Sequence, residues 1–272
     1  MHTGGHRAEI AEDIEKTRRS ELEAAADSRP KTAARRLRRA LLLCILLDLA
    51  LIGARVLLYA PLLAQPNSLT YIAEPIALLL AYAGVVVAVT AGANPRRAVA
   101  LRVGMLVGTL TGALWVINLS LETFASLPGG ILTSAPFLLG AFALWGVAGG
   151  ASARQTDSLA LGVLAAIWAA LICVLITITF GFALAYTSLP QLEQNIATDP
   201  DYLRSHWTDV RAFAIANQFD AAASHLLIAP VVATIVGVIG AVLSDGWALA
   251  RAGTSVSRVG RDTQSTRDDH RA

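Results

Sequence analysis

Six long apolar runs constrain the fold of this chain more than any other feature. They lie at about residues 40–64, 72–93, 98–120, 131–150, 158–187 and 224–250. A helix that crosses a bilayer needs about 20 mostly apolar residues, and in lipid it must satisfy its own backbone hydrogen bonds. The runs therefore predict an all-α fold, in which a polytopic membrane protein packs six transmembrane helices into a bundle.

The charged residues are segregated in a way that agrees with this fold. The chain is 55% hydrophobic, with a mean hydropathy of +0.56, which is uncommon for a soluble domain. Residues 1–39 hold 17 of the 42 charged residues, and residues 251–272 hold 8. We therefore predict a charged N-terminal tail (1–39), a membrane domain (40–250) and a polar, disordered C-terminal tail (251–272).

The distribution of cations predicts the orientation. Lys and Arg are concentrated in both tails and in the connections near Arg97 and Arg154, whereas the connections at 65–71 and 121–130 have none. The positive-inside rule then places both termini in the cytoplasm. Arg outnumbers Lys 20 to 2, which is typical of a GC-rich bacterial genome, so we expect the inner membrane of a bacterial cell. Anionic lipid headgroups are expected partners of the cations before the first span, which are Lys31, Arg35, Arg36, Arg38 and Arg39.

Two charges interrupt the first apolar run. Asp48 and Arg55 are seven residues apart, so they share a helix face at about 10.5 Å of axial rise. A charge that faces lipid costs several kcal/mol, so this face should look into the bundle. We predict an intramembrane charged pair, which can bond directly only with strain and is better joined by a bridging water or a third polar group. It is either a structural clamp on the first helix or part of a polar pathway for a solute or proton. Polar residues that could line the same space are Tyr82, Arg102, Thr111, Asn118 and Glu122.

The third run carries a helix-packing motif. Gly104, Gly108 and Gly112 recur every four residues and therefore lie on one face of a helix. In lipid, small residues let helix backbones approach closely, and packing supplies the attraction. The motif predicts a close helix contact inside the bundle, with a homodimer face as the alternative.

The connection at 188–223 predicts an amphipathic helix on the outer side of the membrane. Asp199 is a suitable N-cap before Pro200 at the first helical position. An apolar stripe then follows at helical spacing, and Trp207 suits the membrane–water boundary. This helix is either a plain surface element or a lid over an outward-facing cavity. The stripe consists of Leu203, Trp207, Val210, Ala214 and Gln218.

No motif in the chain assigns a reaction. The sequence lacks a P-loop, HExxH, GxSxG and a metal-ligand pattern, and we expect no cofactor, no metal and no nucleic-acid partner. Three function classes follow. The first is a non-catalytic membrane component that packs with or regulates a partner or forms a homo-oligomer. The second is a small-solute transporter or channel that uses the Asp48 and Arg55 region, and the third is an intramembrane enzyme. A helical hairpin repeated three times, if it is a true duplication, would favour the second class.

Overall fold

The structure, a computed structural model, describes the backbone of residues 34–92, 94–124 and 131–268. In these ranges the chain is helical and has no strand. The helices are α1 (Ala34–Leu58), α2 (Ser68–Ala91), α3 (Pro95–Phe124), α4 (Ile131–Thr156), α5 (Leu159–Thr187), α6 (Leu189–Ala197), α7 (Pro200–Arg204) and α8 (Val210–Asp268), with a short 3-10 helix at Ala60–Ala64.

Six of these helices are long and apolar enough to cross a membrane. They are α1 to α5 and the Val210–Ser244 part of α8. The prediction of an all-α bundle with six spanning helices is therefore confirmed, and the chain is a multi-pass membrane protein. Because the number of spans is even, the two ends of the membrane domain lie on the same side of the membrane.

The ends of α1 and α8 differ from the predicted spans. The first span is already helical at Ala34, the first residue that the structure describes, which lies inside the predicted tail, and its α-helix ends at Leu58, before Pro61. Pro61 lacks a backbone N–H, and it lies at the start of the 3-10 helix that follows α1. At the other end α8 continues as a helix to Asp268, where the sequence pattern predicted a disordered tail. Once a helix is formed, each added residue gains one backbone hydrogen bond at small cost.

The outer connection forms three elements instead of one amphipathic helix. Asp199 caps α7, since its side chain accepts a hydrogen bond from the Asp201 amide at 2.7 Å. The helix then stops, and His206 adopts a left-handed conformation with φ of 59°. Because this break separates Leu203 from Trp207, the predicted stripe is divided. Leu203 is exposed, whereas Trp207 is buried.

Helix α5 is the central element of the bundle. In the most apolar 18-residue stretch of α5, 61% of the residues are buried, whereas the corresponding stretches of the other five spans are 22% to 33% buried. It contacts α3, α4 and α8, and hydrogen bonds join it to α1. Its sequence has the highest mean hydropathy of the six spans, 2.8. A helix that is apolar on all sides is typical of such a buried position.

The Gly104, Gly108 and Gly112 face of α3 packs against α5. A Cβ atom placed on Gly104 would lie 2.6 Å from the Ala165 carbonyl oxygen, and one on Gly108 would lie 2.5 Å from that of Ala169. A Cβ on Gly112 would meet the Ile176 side chain at 3.0 Å. The backbones of α3 and α5 are therefore closer here than any residue larger than glycine would allow.

Candidate functional site

Asp48 is fully buried and faces α5. Its Oδ1 accepts a hydrogen bond from the Thr179 hydroxyl at 2.6 Å. The Sγ atom of Cys44, one turn earlier on α1, lies 3.2 Å from the same hydroxyl oxygen. Thr179 is therefore held between two side chains of α1. The other carboxyl oxygen of Asp48, Oδ2, makes no hydrogen bond to the residues that the structure describes.

Arg55 also contacts α5, seven residues further along both helices. Its guanidinium carbon lies 3.9 Å from the centre of the Tyr186 ring, a cation–π arrangement. The Tyr186 hydroxyl in turn donates to the Leu51 carbonyl at 2.9 Å. The Nη2 atom of Arg55 is buried without a hydrogen bond to the described residues. Both charged residues of α1 therefore lie against the same neighbouring helix.

Asp48 and Arg55 do not bridge to each other through the groups that the sequence indicated. Each is paired with its own residue of α5, and a separation of seven residues corresponds to about 10.5 Å along the axis. The partners are Thr179 and Tyr186, which the sequence analysis did not select. These residues are also seven apart, and α1 and α5 run in the same direction because both are odd-numbered spans. The matching spacing on parallel spans agrees with these contacts, but by itself it does not select Thr179 and Tyr186.

The residues predicted to line the same space are dispersed, and none of them forms a hydrogen bond or ion pair with Asp48 or Arg55 in the described structure. Tyr82 donates to the Leu226 carbonyl of α8 at 2.6 Å, and Arg102 is exposed. Thr111 accepts from the Trp145 indole at 3.4 Å. Asn118 donates to Glu122 at 3.0 Å, and Ser134 of α4 donates to the same carboxylate at 2.6 Å. The bonds of Tyr82, Thr111 and Glu122 to other helices join neighbouring helices, whereas the Asn118–Glu122 bond lies within α3.

A polar cluster lies at the outer end of α1 and the first turn of α8, and we call Tyr59, Glu193, Asp209 and Arg211 the outer cluster. Asp209 caps α8 by accepting from the Arg211 and Ala212 amides at 3.0 and 3.1 Å. Its other oxygen accepts from the Tyr59 hydroxyl at 2.6 Å. Arg211 pairs with Glu193 of α6 at 2.5 Å. The outer cluster thus connects α1, α6 and α8.

Burial and hydrogen bonding shift the pKa values of Tyr59 and Asp209 in the outer cluster. Burial, together with the neighbouring Asp209 carboxylate, raises the pKa of Tyr59 to about 12. Burial alone would raise the pKa of Asp209, but hydrogen bonds from Tyr59 and from the two amides favour the carboxylate and lower its pKa below the ordinary value. Tyr59 therefore stays a neutral donor, and Asp209 an ionised acceptor, at neutral pH.

A lateral crevice opens between α3 and α8, α5 forms its floor, and side chains of α4 line its inner part. It consists of two adjoining cavities of about 260 Å³ and 170 Å³ that share Trp115, Thr177 and His225. The helices on its two sides both contact α5 but scarcely touch each other. The lining is mainly apolar, and Ser188 and Leu192 close its outer end. Small residues lie on its floor and on one wall: Gly181, Ala185, Ala221 and Ala222.

Two features of the crevice distinguish it from the closed α3–α5 contact. A Cβ atom on Gly181 would meet nothing within 4 Å, so this glycine is not used for packing inside the chain. His225 is exposed, and its Nδ1–H donates to the Ala221 carbonyl of its own helix at 2.6 Å. The imidazole also lies edge-on to the Trp115 ring at 6.3 Å. This crevice could not be predicted from the sequence, because residue types alone do not show which helices remain apart.

The sequence also led to expectations about metal ions and about anionic lipid headgroups. Among the described residues, no group of three or more His, Cys, Asp or Glu could hold a metal ion. Arg35, Arg36, Arg38 and Arg39 lie in the first turns of α1, and Lys31 lies outside the described residues. Comparisons with models of protein families, with curated proteins and with solved structures each gave no match.

Proposed function

We propose that this protein is a non-catalytic membrane component that packs against a spanning helix of a partner. The observation that carries the proposal is the lateral crevice, where Gly181 and three alanines line a gap between α3 and α8. In lipid, helices associate through close packing of small residues, since apolar surface alone supplies little drive. The same chemistry joins α3 to α5 inside the chain, and at the crevice it is available to another protein.

The buried charges support a structural role for the inner part of the bundle. Asp48 has no exposed surface, and none of the cavities described above is lined by Asp48 or Arg55. Each residue ties α1 to α5 through a specific side chain. A polar pathway would instead need polar groups that continue from one side of the membrane to the other. We therefore favour the clamp, with Thr179 and Tyr186 as the residues that α1 holds.

A small-solute transporter or channel is the second candidate, and one observation favours it. Asp48 Oδ2 and Arg55 Nη2 are both buried without a hydrogen-bonding partner in the described residues. Such atoms are costly to leave unpaired, so a solute or ion that binds them would stabilise the site. If this is the function, Asp48→Asn should abolish accumulation of the solute in whole cells while the amount of folded protein stays unchanged.

The orientation forms part of the proposal. We propose a bacterial inner-membrane protein with both termini in the cytoplasm, on the basis of the arginine-rich connections. Reporter fusions at the N-terminus, near Arg97, near Arg154 and at the C-terminus should report cytoplasm. Fusions near Asn67 and Asp199 should report the outside. A reversed result at one internal position would contradict the assignment of sides.

Site-specific photo-crosslinking tests the partner directly. A photoreactive residue would replace Leu184, which lines the crevice, and Val87, which is exposed on α2, in separate variants expressed in native membranes. Position 184 should give a protein adduct of defined mass, and position 87 should not. Gly181→Leu should weaken the adduct because it fills the crevice. Gly84→Leu is the matched control, since a Cβ there also meets nothing within 4 Å.

The mass of the adduct identifies the kind of partner. Twice the mass of the chain indicates a second copy, and any other defined protein mass indicates a different partner. Adducts that contain lipid alone, or a protein adduct that Gly181→Leu leaves unchanged, would contradict the proposal.

A further inference from the structure

A furrow runs along the line where α4 and α8 meet, further along α8 than the crevice. Its volume is about 630 Å³, and its α4 wall extends from Leu139 to Arg154. Fifteen residues of α-helix correspond to about 22 Å along the axis, a length that covers most of one half of the bilayer's hydrocarbon core and its interface. The furrow therefore follows the direction in which lipid chains lie.

Glycines make the furrow narrow. A Cβ atom on Gly150 would lie 2.8 Å from the Gly240 carbonyl oxygen, so the α4 and α8 backbones are in contact. Side chains such as Val147, Ile239 and Leu243 stand on both sides of this line and are largely exposed. A helix is about 10 to 12 Å across with its side chains, so it would rest on these rims. A single acyl chain is thin enough to lie between them.

A cation stands at one end of the furrow. Arg154 lies in the last turn of α4 and is exposed. It forms no hydrogen bond or ion pair in the described structure, although Asp157 follows three residues later. Arg154 is on the side of the membrane where the cations of the chain are concentrated. A guanidinium donates two parallel hydrogen bonds to a phosphate, and basic positions between spanning helices on this side suit anionic headgroups.

We propose that the furrow binds one phospholipid with a net negative headgroup. One acyl chain lies between α4 and α8 over the glycines, and the phosphate contacts the Arg154 guanidinium. The site is distinct from the lateral crevice, because Phe142 is the one lining residue that the two have in common. It does not depend on the proposed partner.

Native mass spectrometry of the purified full-length chain tests this site. The protein in detergent would be titrated with dioleoyl phosphatidylglycerol and, separately, with dioleoyl phosphatidylcholine. We expect one phosphatidylglycerol molecule to bind more tightly than phosphatidylcholine. Arg154→Gln should weaken phosphatidylglycerol binding about fivefold, the factor expected for one cation near a headgroup, and leave phosphatidylcholine binding unchanged. Arg102→Gln, another exposed arginine outside the furrow, is the control.

A second variant tests the acyl-chain part of the site. Ala143 is exposed and lines the furrow, so Ala143→Trp should block binding of both lipids. Ala88→Trp, at an exposed alanine of α2, should not. Glycerol phosphate, which has the anion without chains, should not bind measurably.

Three results would overturn the proposal. The first is an equal effect of Arg154→Gln and Arg102→Gln on phosphatidylglycerol binding. The second is binding of glycerol phosphate as tight as that of phosphatidylglycerol. The third is a dimer of the chain that dissociates in the Ala143→Trp variant. The last of these would assign the furrow to a second copy. If Ala143→Trp does not fold, the comparison of Arg154→Gln with Arg102→Gln still decides, because both positions are exposed.

Discussion

Two faces of α5 carry small residues, one against α3 and one at the floor of the lateral crevice. On the first face Ala165 and Ala169 meet the glycines of α3, with no room for a Cβ atom between the backbones. On the second face Gly181 has open space around it. Residue type is therefore the same on both faces, and the difference lies in whether the chain itself supplies the facing helix. This difference separates internal packing from a surface that another molecule can use.

The largest effect should come from filling the closed face. Gly108→Leu forces α3 away from α5, because even a Cβ atom at this position would lie 2.5 Å from the Ala169 carbonyl oxygen. Overpacking costs about 1 to 3 kcal/mol and occasionally more, and here backbone must move. We expect most of the folded, monodisperse protein to be lost in size-exclusion chromatography. Leu106→Ala, at an exposed position of the same helix, should have little effect.

The next largest effect should come from Thr179→Val, which tests the attachment of α1 to α5. Asp48 would lose the hydroxyl that donates to it, which should lower the free energy of unfolding by about 1 to 3 kcal/mol. In an Asp48→Leu background the same change should cost much less, because no acceptor is left unpaired. By contrast, Asp48→Leu and Arg55→Gln should be additive, since each residue contacts its own part of α5. Strong coupling between Asp48 and Arg55 would contradict these contacts.

A smaller effect is expected at the outer cluster. Tyr59→Phe removes the hydrogen bond to Asp209 and should cost about 1 kcal/mol. The pKa of Asp209 is lowered in the folded protein, so its contribution is fully present above its unfolded value, near 3.8, and is lost as the pH falls below it. Unfolding followed between pH 7 and pH 3 should therefore show a steeper acid loss for the native chain than for Tyr59→Phe. Parallel pH profiles would contradict the role of this hydrogen bond.

The smallest effect on stability is expected at the open face. Gly181→Leu should change the free energy of unfolding by no more than about 0.5 kcal/mol, as is usual for substitutions that create no new clash. A loss comparable to that of Gly108→Leu, measured under the same detergent conditions, would mean that the crevice is closed in solution.

The six spans could be predicted from the sequence because apolar length is a local property. The ends of the helices were harder to predict from the sequence. The end of α1 depends on Pro61, which is visible in the sequence, whereas the continuous helix through Val210–Asp268 depends on helix propagation across polar residues. The break at His206 was also missed, because a positive φ at a non-glycine residue has no reliable sequence signal.

The partners of Asp48 were missed for a different reason. Thr111 and Asn118 of α3 have the same seven-residue spacing as Thr179 and Tyr186 of α5, and both helices run parallel to α1. Spacing alone therefore does not choose between them. The higher hydropathy of α5 indicates the central position that makes it the neighbour of α1. The crevice had no comparable signal, since its existence depends on α3 and α8 remaining apart.

Thiol labelling at two positions of α5 tests the contrast between its faces most directly. Gly181→Cys and Ala169→Cys would be compared in a chain whose native Cys44 and Cys173 are replaced by alanine. In purified protein a membrane-permeant maleimide should label Cys at 181 readily, and should label Cys at 169 only after denaturation, since Ala169 is fully buried. In native membranes a bound partner should protect position 181. Equal labelling of both positions in the folded, purified protein would contradict the account.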